Sequence, residues 1–177
     1  MKITKKFVEK TAAEACGEDV VPLVRFLYGK GKVSEFELVD SLKEDVQSLR
    51  NKLYLLQKVS LVDSSRKKDK KKGWYIYYWT FKPQNIIWLY KKIREEKIER
   101  LEARLAREKE NQFYSCKNNC MRLNFDQAVN FNFKCPECGE LMNLTDNTET
   151  IKKIEEEIKK LREEIEEVEE ESKPSSS

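Results

Sequence analysis

Four cysteines within 23 residues, in a chain that has no histidine, restrict the fold more than any other feature of the sequence. They are spaced as C-x3-C, then 14 residues, then C-x2-C. Two close pairs separated by a short loop are typical of a zinc ribbon, where four thiolates hold a structural Zn²⁺ tetrahedrally. A segment of about 30 residues buries too little apolar surface to fold alone, so the metal would stabilise it directly. The predicted ligands are Cys116, Cys120, Cys135 and Cys138.

Two other uses of these thiols stay open. Two disulfides would suit a secreted chain, although the N-terminus lacks an apolar signal segment. An iron–sulfur cluster would use the same four ligands. A catalytic zinc needs an open coordination position, and a nucleobase deaminase needs a histidine that this chain lacks. The fifth cysteine, Cys16, follows several alanines and is expected to be a small buried residue.

The composition indicates a helix-rich cytoplasmic protein. Charged residues make up 38% of the chain, and glycine and proline together number nine. We expect no membrane segment, because no apolar run approaches the roughly 20 residues that a spanning helix needs. The charge is unevenly distributed, since residues 66–72 contain six bases and one acid, whereas residues 152–171 contain five bases and ten acids. These two blocks should therefore serve different purposes.

The N-terminal half has the pattern of a winged helix over residues 1–83. Three amphipathic helices precede two strand-like runs, "SLVDSS" and "WYIYYWTF", which the basic run "RKKDKKKG" joins as the wing. The helix before the hairpin carries a net charge of only +1, so it is poorly equipped to read duplex DNA. The wing is then either a solvated loop or a docking contact to an acidic protein surface or nucleic-acid backbone.

The aromatic strand "WYIYYWTF" has large side chains on both faces. Its partner strand is too polar to cover both of them. Either the next segment, "NIIWLY", packs on the second face, which we favour, or aromatic residues remain available for a partner.

Two long charged helices complete the prediction of a mostly helical chain with small β elements. Residues 84–110 form a linker helix, residues 111–145 the zinc ribbon, and residues 149–171 a helix with coiled-coil periodicity before a disordered tail at 172–177. The apolar seam of the last helix should pair with the linker helix, a second copy or another subunit, unless the helix is simply solvated. The seam consists of Ile151, Ile154, Ile158, Leu161, Ile165 and Val168.

Several of these stretches occur together in one known family. "GWYIYYW" followed by "TFKP" is fairly specific, and "FYSCKNNC" with "FKCPECGELM" surrounds the cysteines. With the charged linker and helical tail, the whole chain resembles the archaeal transcription factor E family, homologues of the alpha subunit of eukaryotic TFIIE. The four cysteines match the ribbon ligands of that family, and the C-x3-C turn is one residue longer than the common form.

The resemblance implies a non-enzymatic basal transcription factor. Such proteins bind the clamp of RNA polymerase near its stalk, act with other basal factors, assist promoter melting and stabilise the open complex through the non-template strand. A second factor subunit could then join through the C-terminal helix. The competing interpretation is a sequence-specific winged-helix regulator with a structural zinc ribbon. By analogy, the residues that face polymerase and DNA are Arg66, Lys67, Lys68, Lys70, Lys71, Lys72, Trp74 and Tyr75.

Overall fold

The chain is mostly helical and contains two small antiparallel sheets. The structure, a computed structural model, describes residues 4–68 and 73–172. The described part divides into two units, one formed by residues up to Ile93 together with those from Glu167 onward, the other by Arg94–Glu166. The sequence predicted a disordered tail at 172–177. Ser172 is instead the last residue of a helix, and residues 173–177 lie outside the described residues.

Three of the four α-helices described in the first unit begin after a residue whose side chain satisfies free backbone N–H groups. Thr4 accepts a hydrogen bond from the N–H of Phe7, and Ser34 accepts one from Glu37. Asp45 accepts two, from the N–H groups of Gln47 and Ser48, which suits the first turn of a helix. The helices are α1 (Lys5–Cys16), α2 (Val21–Leu27), α3 (Glu35–Leu42) and α4 (Val46–Lys58), with a short 3₁₀ helix at Glu18–Val20.

The sheet of the first unit has the order β1–β3–β2, and both pairings are antiparallel. Its strands are β1 (Lys32–Ser34), β2 (Val62–Lys68) and β3 (Tyr75–Phe81). The base of the β2–β3 hairpin closes a single hydrophobic core with the helices, because Val62, Trp79 and Phe81 are buried there. The other large buried residues of that core include Leu23, Leu27, Leu38, Leu49, Leu53, Leu56 and Ile86.

The second unit places a small sheet between two long helices in the chain order. A 3₁₀ helix at Pro83–Asn85 leads into α5 (Ile86–Glu110), which contributes to both units. The remaining elements are β4 (Phe113–Cys116), β5 (Arg122–Asn124), α6 (Phe125–Asn130), β6 (Met142–Thr145) and α7 (Thr148–Ser172). The sheet has the antiparallel order β5–β4–β6. Helix α6, which the sequence analysis did not predict, lies within the loop between the cysteine pairs.

None of the helices within residues 4–68 and 73–172 combines the length and the hydrophobicity that a membrane-spanning segment requires.

Candidate metal centre and basic hairpin

The structure brings the four clustered cysteines together. Cys116 ends β4, Cys120 closes the turn that follows, and Cys135 and Cys138 lie on the turn before β6. Their four Sγ atoms all lie within 4.8 Å of one another. Cys116 and Cys135 are buried, whereas Cys120 and Cys138 are exposed. The cluster therefore lies at the surface of its unit, with two of its thiols in the interior.

Both turns obtain their shape from residues with a left-handed backbone. In the first turn the extra residue is accommodated because Asn119 adopts φ = 55° while its N–H donates to the carbonyl of Cys116 at 2.9 Å. Asparagine is among the few non-glycine residues that tolerate this conformation. In the second turn Gly139 adopts φ = 76° and donates to the carbonyl of Cys135 at 2.7 Å. The longer C-x3-C spacing thus still produces a tight turn.

The geometry of the four thiols fits a tetrahedral metal ion. Zn–S bonds of about 2.3 Å place the sulfur atoms of a tetrahedron about 3.8 Å apart. The Sγ atoms of Cys116 and Cys138 lie 3.4 Å apart, which is much longer than a disulfide bond of about 2.05 Å. The backbone N–H of Asn118 donates to the sulfur of Cys116 at 3.4 Å, a contact that favours the thiolate. All five cysteines are free thiols in the structure, so the site suits a metal ion rather than two disulfides.

Three of the thiols, those of Cys116, Cys120 and Cys138, have shifted pKa values. A hydrogen bond from the backbone of Glu140 lowers the pKa of Cys138 to about 7. Hydrogen bonding to Cys138 raises the pKa of Cys120 to about 12, and burial raises the pKa of Cys116. Of these three thiols, Cys138 is therefore the first to become a thiolate, and metal binding would have to displace protons from Cys116 and Cys120.

The hairpin residues of the predicted polymerase–DNA face lie on or beside the two paired strands. Arg66, Lys67 and Lys68 belong to β2, where they pair with Tyr77, Ile76 and Tyr75 of β3. The prediction that these three cations lie in a loop is therefore wrong, since backbone pairing to the aromatic strand extends β2 through Lys68. Lys70, Lys71 and Lys72 lie outside the described residues.

One side of the hairpin combines cations with exposed aromatic rings. Residues directly opposite each other in an antiparallel pair share a face, so Arg66, Lys68, Tyr75 and Tyr77 form one surface, here called the aromatic–basic face. Tyr75 is 53% exposed and Tyr77 is 39% exposed. Trp74, which precedes β3, is also exposed. Tyr77 was not among the predicted site residues, although its alternation with Tyr75 along the strand could have identified it.

The other half of β3 belongs to the core. Trp79 and Phe81 are buried in one hydrophobic cluster with Ile86 and Leu89 from the segment that follows the strand. The favoured expectation, packing by "NIIWLY", therefore holds for this half of the strand. It does not hold near the tip, where Tyr75 and Tyr77 remain exposed.

Two of the three cations of α4 are already engaged within the fold. Arg50 forms an ion pair with Glu35 at 2.7 Å, and Lys52 forms one with Glu44 at 2.7 Å. The Glu35 side chain is largely buried, so its interaction with Arg50 is weakly screened. These two bases are therefore poorly placed to bind phosphate groups.

The apolar seam of α7 faces α5 of the same chain within the second unit. Ile154, Ile158 and Leu161 are buried, and the other three seam residues are partly buried. Leu105 of α5 and Ile158 line a common groove. The linker helix is one of the three partners that the sequence allowed. Ion pairs that join the two antiparallel helices are Arg94–Glu164, Lys97–Glu157, Glu102–Arg162 and Lys109–Glu155.

A mostly helical chain with two small antiparallel sheets and a cluster of four thiols defines a modular protein whose cysteines are arranged as a structural metal site would require. The sequence pattern of the family described as "TFIIE alpha subunit" matches residues 6–110. The chain therefore belongs to the TFIIE alpha subunit family, which is a family of transcription factors.

Individual relatives extend the similarity beyond that segment. The chain is 34% identical over 160 residues to transcription factor E of Metallosphaera sedula, covering 86% of this chain and 91% of that protein. It is 37% identical over 135 residues to the Methanocaldococcus jannaschii protein of the same name, covering 76% and 78%. It is 33% identical over 155 residues to transcription factor E of Pyrococcus abyssi, covering 87% of this chain and 82% of that protein. A match to 86% of the chain necessarily includes the cysteine cluster.

Proposed function

We propose that the protein is a basal transcription factor that binds RNA polymerase and promoter DNA in the initiation complex. It assists promoter melting and stabilises the open complex, without catalysing a reaction itself. Membership of the TFIIE alpha subunit family supports this proposal, because its relatives carry the name transcription factor E. Residues 1–83 act as a winged helix, residues 84–110 as the linker helix, and residues 111–145 as a zinc ribbon.

The observation that carries the proposal is that two of the three cations of α4 are already paired, whereas the exposed hairpin combines cations with aromatic rings. A sequence-reading winged helix neutralises phosphates around its recognition helix and reads base edges from it. Here Arg50 and Lys52 of α4 are paired with carboxylates of the same unit. Two cations of the hairpin, Arg66 and Lys68, instead share a face with exposed tyrosines, and Arg66 lies 5.0 Å from the centre of the Tyr75 ring.

Cations next to exposed aromatic rings suit unpaired bases better than a closed duplex. The rings can stack on bases, while the cations follow the phosphate backbone. Contacts to phosphates alone would give weak, salt-dependent and sequence-indifferent binding to duplex DNA. The hairpin is therefore suited to stabilising melted DNA once another component, RNA polymerase, has brought it to a promoter.

The cysteine cluster has a structural role in this proposal. Four thiolates from Cys116, Cys120, Cys135 and Cys138 would hold one Zn²⁺ with no open coordination position. When bound, the ion supplies folding free energy to a small sheet whose own core contains few buried residues.

Recruitment tests the proposal. The immobilised protein should retain RNA polymerase from an archaeal extract, and it should bind naked duplex DNA only at about the micromolar level or more weakly. A variant with Arg66, Lys67 and Lys68 changed to Glu should still bind polymerase, but its binding to DNA should be weaker than that of the parent. The matched control changes Lys5, Lys6 and Lys10, on the exposed side of α1, to Glu. Tight sequence-selective binding to naked duplex DNA without polymerase retention would support the alternative, a sequence-specific regulator.

A further inference from the structure

Three segments of the second unit converge on one buried carboxylate. Glu108 lies in the last turn of α5, and its side chain is only 5% exposed. Arg122, the first residue of β5, donates from both terminal nitrogens to the two carboxylate oxygens at 2.8 Å each. Asn147, which directly precedes α7, donates to the backbone carbonyl of Glu108 at 2.6 Å and to its Oε2 at 3.2 Å.

Each partner in this cluster is held in a defined orientation. The guanidinium of Arg122 lies 3.9 Å from the centre of the Phe113 ring, which fixes its plane while it binds Glu108 in the bidentate manner. Hydrogen bonding to Arg122 lowers the pKa of the Glu108 carboxyl, so the group is ionised at neutral pH. A buried carboxylate that lost these donors would be strongly destabilising, because its desolvation would no longer be compensated. The pair therefore favours one arrangement of these segments.

Arg122 also connects this cluster, through the backbone, to two of the predicted metal ligands. Arg122 follows Cys120 by two residues and pairs with Ser115 across the β4–β5 hairpin. The N–H of Cys116 donates to the carbonyl of Met121 at 3.1 Å, which closes the turn between the first two cysteines. An anchor at Arg122 therefore also restricts the backbone that carries Cys116 and Cys120.

We infer that Glu108 is a positioning residue for the metal centre, and that through Arg122 and Asn147 it couples metal binding to the packing of α7 on α5. This inference rests on the proposed zinc site. Before the metal binds, the turn must adopt the conformation that brings Cys116 and Cys120 together, and the Glu108 anchor reduces the number of conformations it can take. Because coupling between two sites is reciprocal, the metal should in return stabilise the contact between the helices.

Metal affinity of the full chain tests the first half of the inference. Glu108→Gln keeps the volume of the side chain but removes the charge, so zinc affinity, measured by competition with a coloured chelator, should fall about tenfold. Arg122→Lys keeps the positive charge but loses the bidentate geometry, and it should cause a similar fall. Both variants should retain the absorption spectrum of a Co²⁺ ion bound by four thiolates. The matched control is Glu99→Gln, at an exposed position of the same helix, and it should keep the parental affinity.

Hydrogen exchange tests the second half with a readout that a purely structural role would not change. Zinc should slow amide exchange in residues 151–164 of the parent, and this zinc-dependent difference should shrink in Glu108→Gln. A Glu108 that only stabilised the helices would slow exchange equally with and without zinc. Parental zinc affinity and an unchanged zinc-dependent difference in both Glu108→Gln and Arg122→Lys would overturn the inference alone. A parent that binds neither Zn²⁺ nor Co²⁺ would overturn the metal centre, and the inference with it.

Discussion

The guanidinium of Arg66 lies over the ring of Tyr75, at 5.0 Å from its centre, across the two strands of the exposed hairpin. The pair is diagonal in the register, because Arg66 is directly opposite Tyr77. The contact places a cation beside two partly exposed tyrosine rings on one surface. That surface, the aromatic–basic face, is the one that we propose binds DNA.

Removal of one metal ligand should affect the second unit selectively. In Cys135→Ser the zinc content should fall well below one ion per chain, because a hydroxyl is a poor replacement for a thiolate in a four-thiolate site. The control is Cys16→Ser, since Cys16 packs against the core of the first unit and lies outside the cluster. Zinc content by atomic absorption separates the two variants. A full complement of zinc in Cys135→Ser, or none in the parent, would refute the assignment.

Two leucines of α4 provide a matched test of the hydrophobic core. Leu53 is fully buried, whereas Leu55 on the same helix is 45% exposed. Leu53→Ala should lower the free energy of unfolding by about 2–5 kcal/mol, because it removes buried methyl groups and leaves a cavity. Leu55→Ala should cost less than half as much, measured by urea unfolding of both variants. Equal losses would show that this description of the α4 packing is wrong.

A surface ion pair should give the first unit a pH-dependent component of stability. Arg25 donates two hydrogen bonds, at 2.9 and 2.8 Å, to the carboxylate of Glu9, and these lower the pKa of Glu9 from its usual value of 4.5. The contribution is therefore fully present above about pH 4.5 and is lost as the pH falls through the lower folded value.

The variant Glu9→Gln should accordingly be less stable than the parent at pH 7. The difference in free energy of unfolding should shrink as the pH falls below 4.5, since the parent then also loses the charge. Urea unfolding at pH 7 and at a pH below 4.5 measures this difference between the parent and Glu9→Gln. The control is Glu18→Gln, at an exposed position of the neighbouring 3₁₀ helix. A difference that grows on acidification would contradict the sign derived from the pair.

The helix seam gives a further prediction. Ile158 is only 7% exposed, so Ile158→Asp places a charge in the apolar contact between α7 and α5 and should cost about 3–5 kcal/mol. The helical circular dichroism signal should fall as a result. Lys160→Asp is the control, because it changes the net charge more but does so at an exposed position. If both variants keep the parental signal, α7 does not depend on its seam.

Local sequence signals were sufficient for several features of the fold. The spacing of the cysteines predicted a cluster, and the heptad spacing predicted an apolar seam, because both signals are contained within short stretches of sequence. The amphipathic pattern of α4 predicted an apolar stripe of Val46, Leu49, Leu53 and Leu56. The three leucines are buried, whereas Val46, the first residue of the helix, is 42% exposed, so the prediction was wrong for that residue.

Features that depend on distant residues could not be predicted in the same way. Glu108 and Asn147 are 39 residues apart, and nothing in the sequence distinguishes either of them from the many exposed polar residues of the chain. Strand β1 has only three residues and follows a glycine-rich turn, so its identity comes from pairing with Thr80, Trp79 and Tyr78. The extension of β2 through Lys68 has the same origin, since lysine and arginine have little strand preference of their own.

One signal for α6 was present and was not used. Asn124 and Gln127 form a reciprocal capping box, in which each side chain accepts a hydrogen bond from the backbone N–H of the other. Asparagine followed three residues later by glutamine is a recognised start of a helix. The loop between the cysteine pairs could therefore have been predicted to contain one.

Permanganate reactivity of unpaired thymines at a promoter tests the central claim most directly. With RNA polymerase present, the protein should increase this reactivity, and the increase should be largest at promoters that melt reluctantly. Replacing Tyr75 and Tyr77 with Ala should reduce it, because bases lose their stacking partners at a cost of roughly 1–3 kcal/mol each. Tyr54→Ala, which changes another exposed tyrosine in the same unit, is the matched control for folding. An unchanged increase in the Tyr75 and Tyr77 variant, or no increase with the parent protein, would contradict the account.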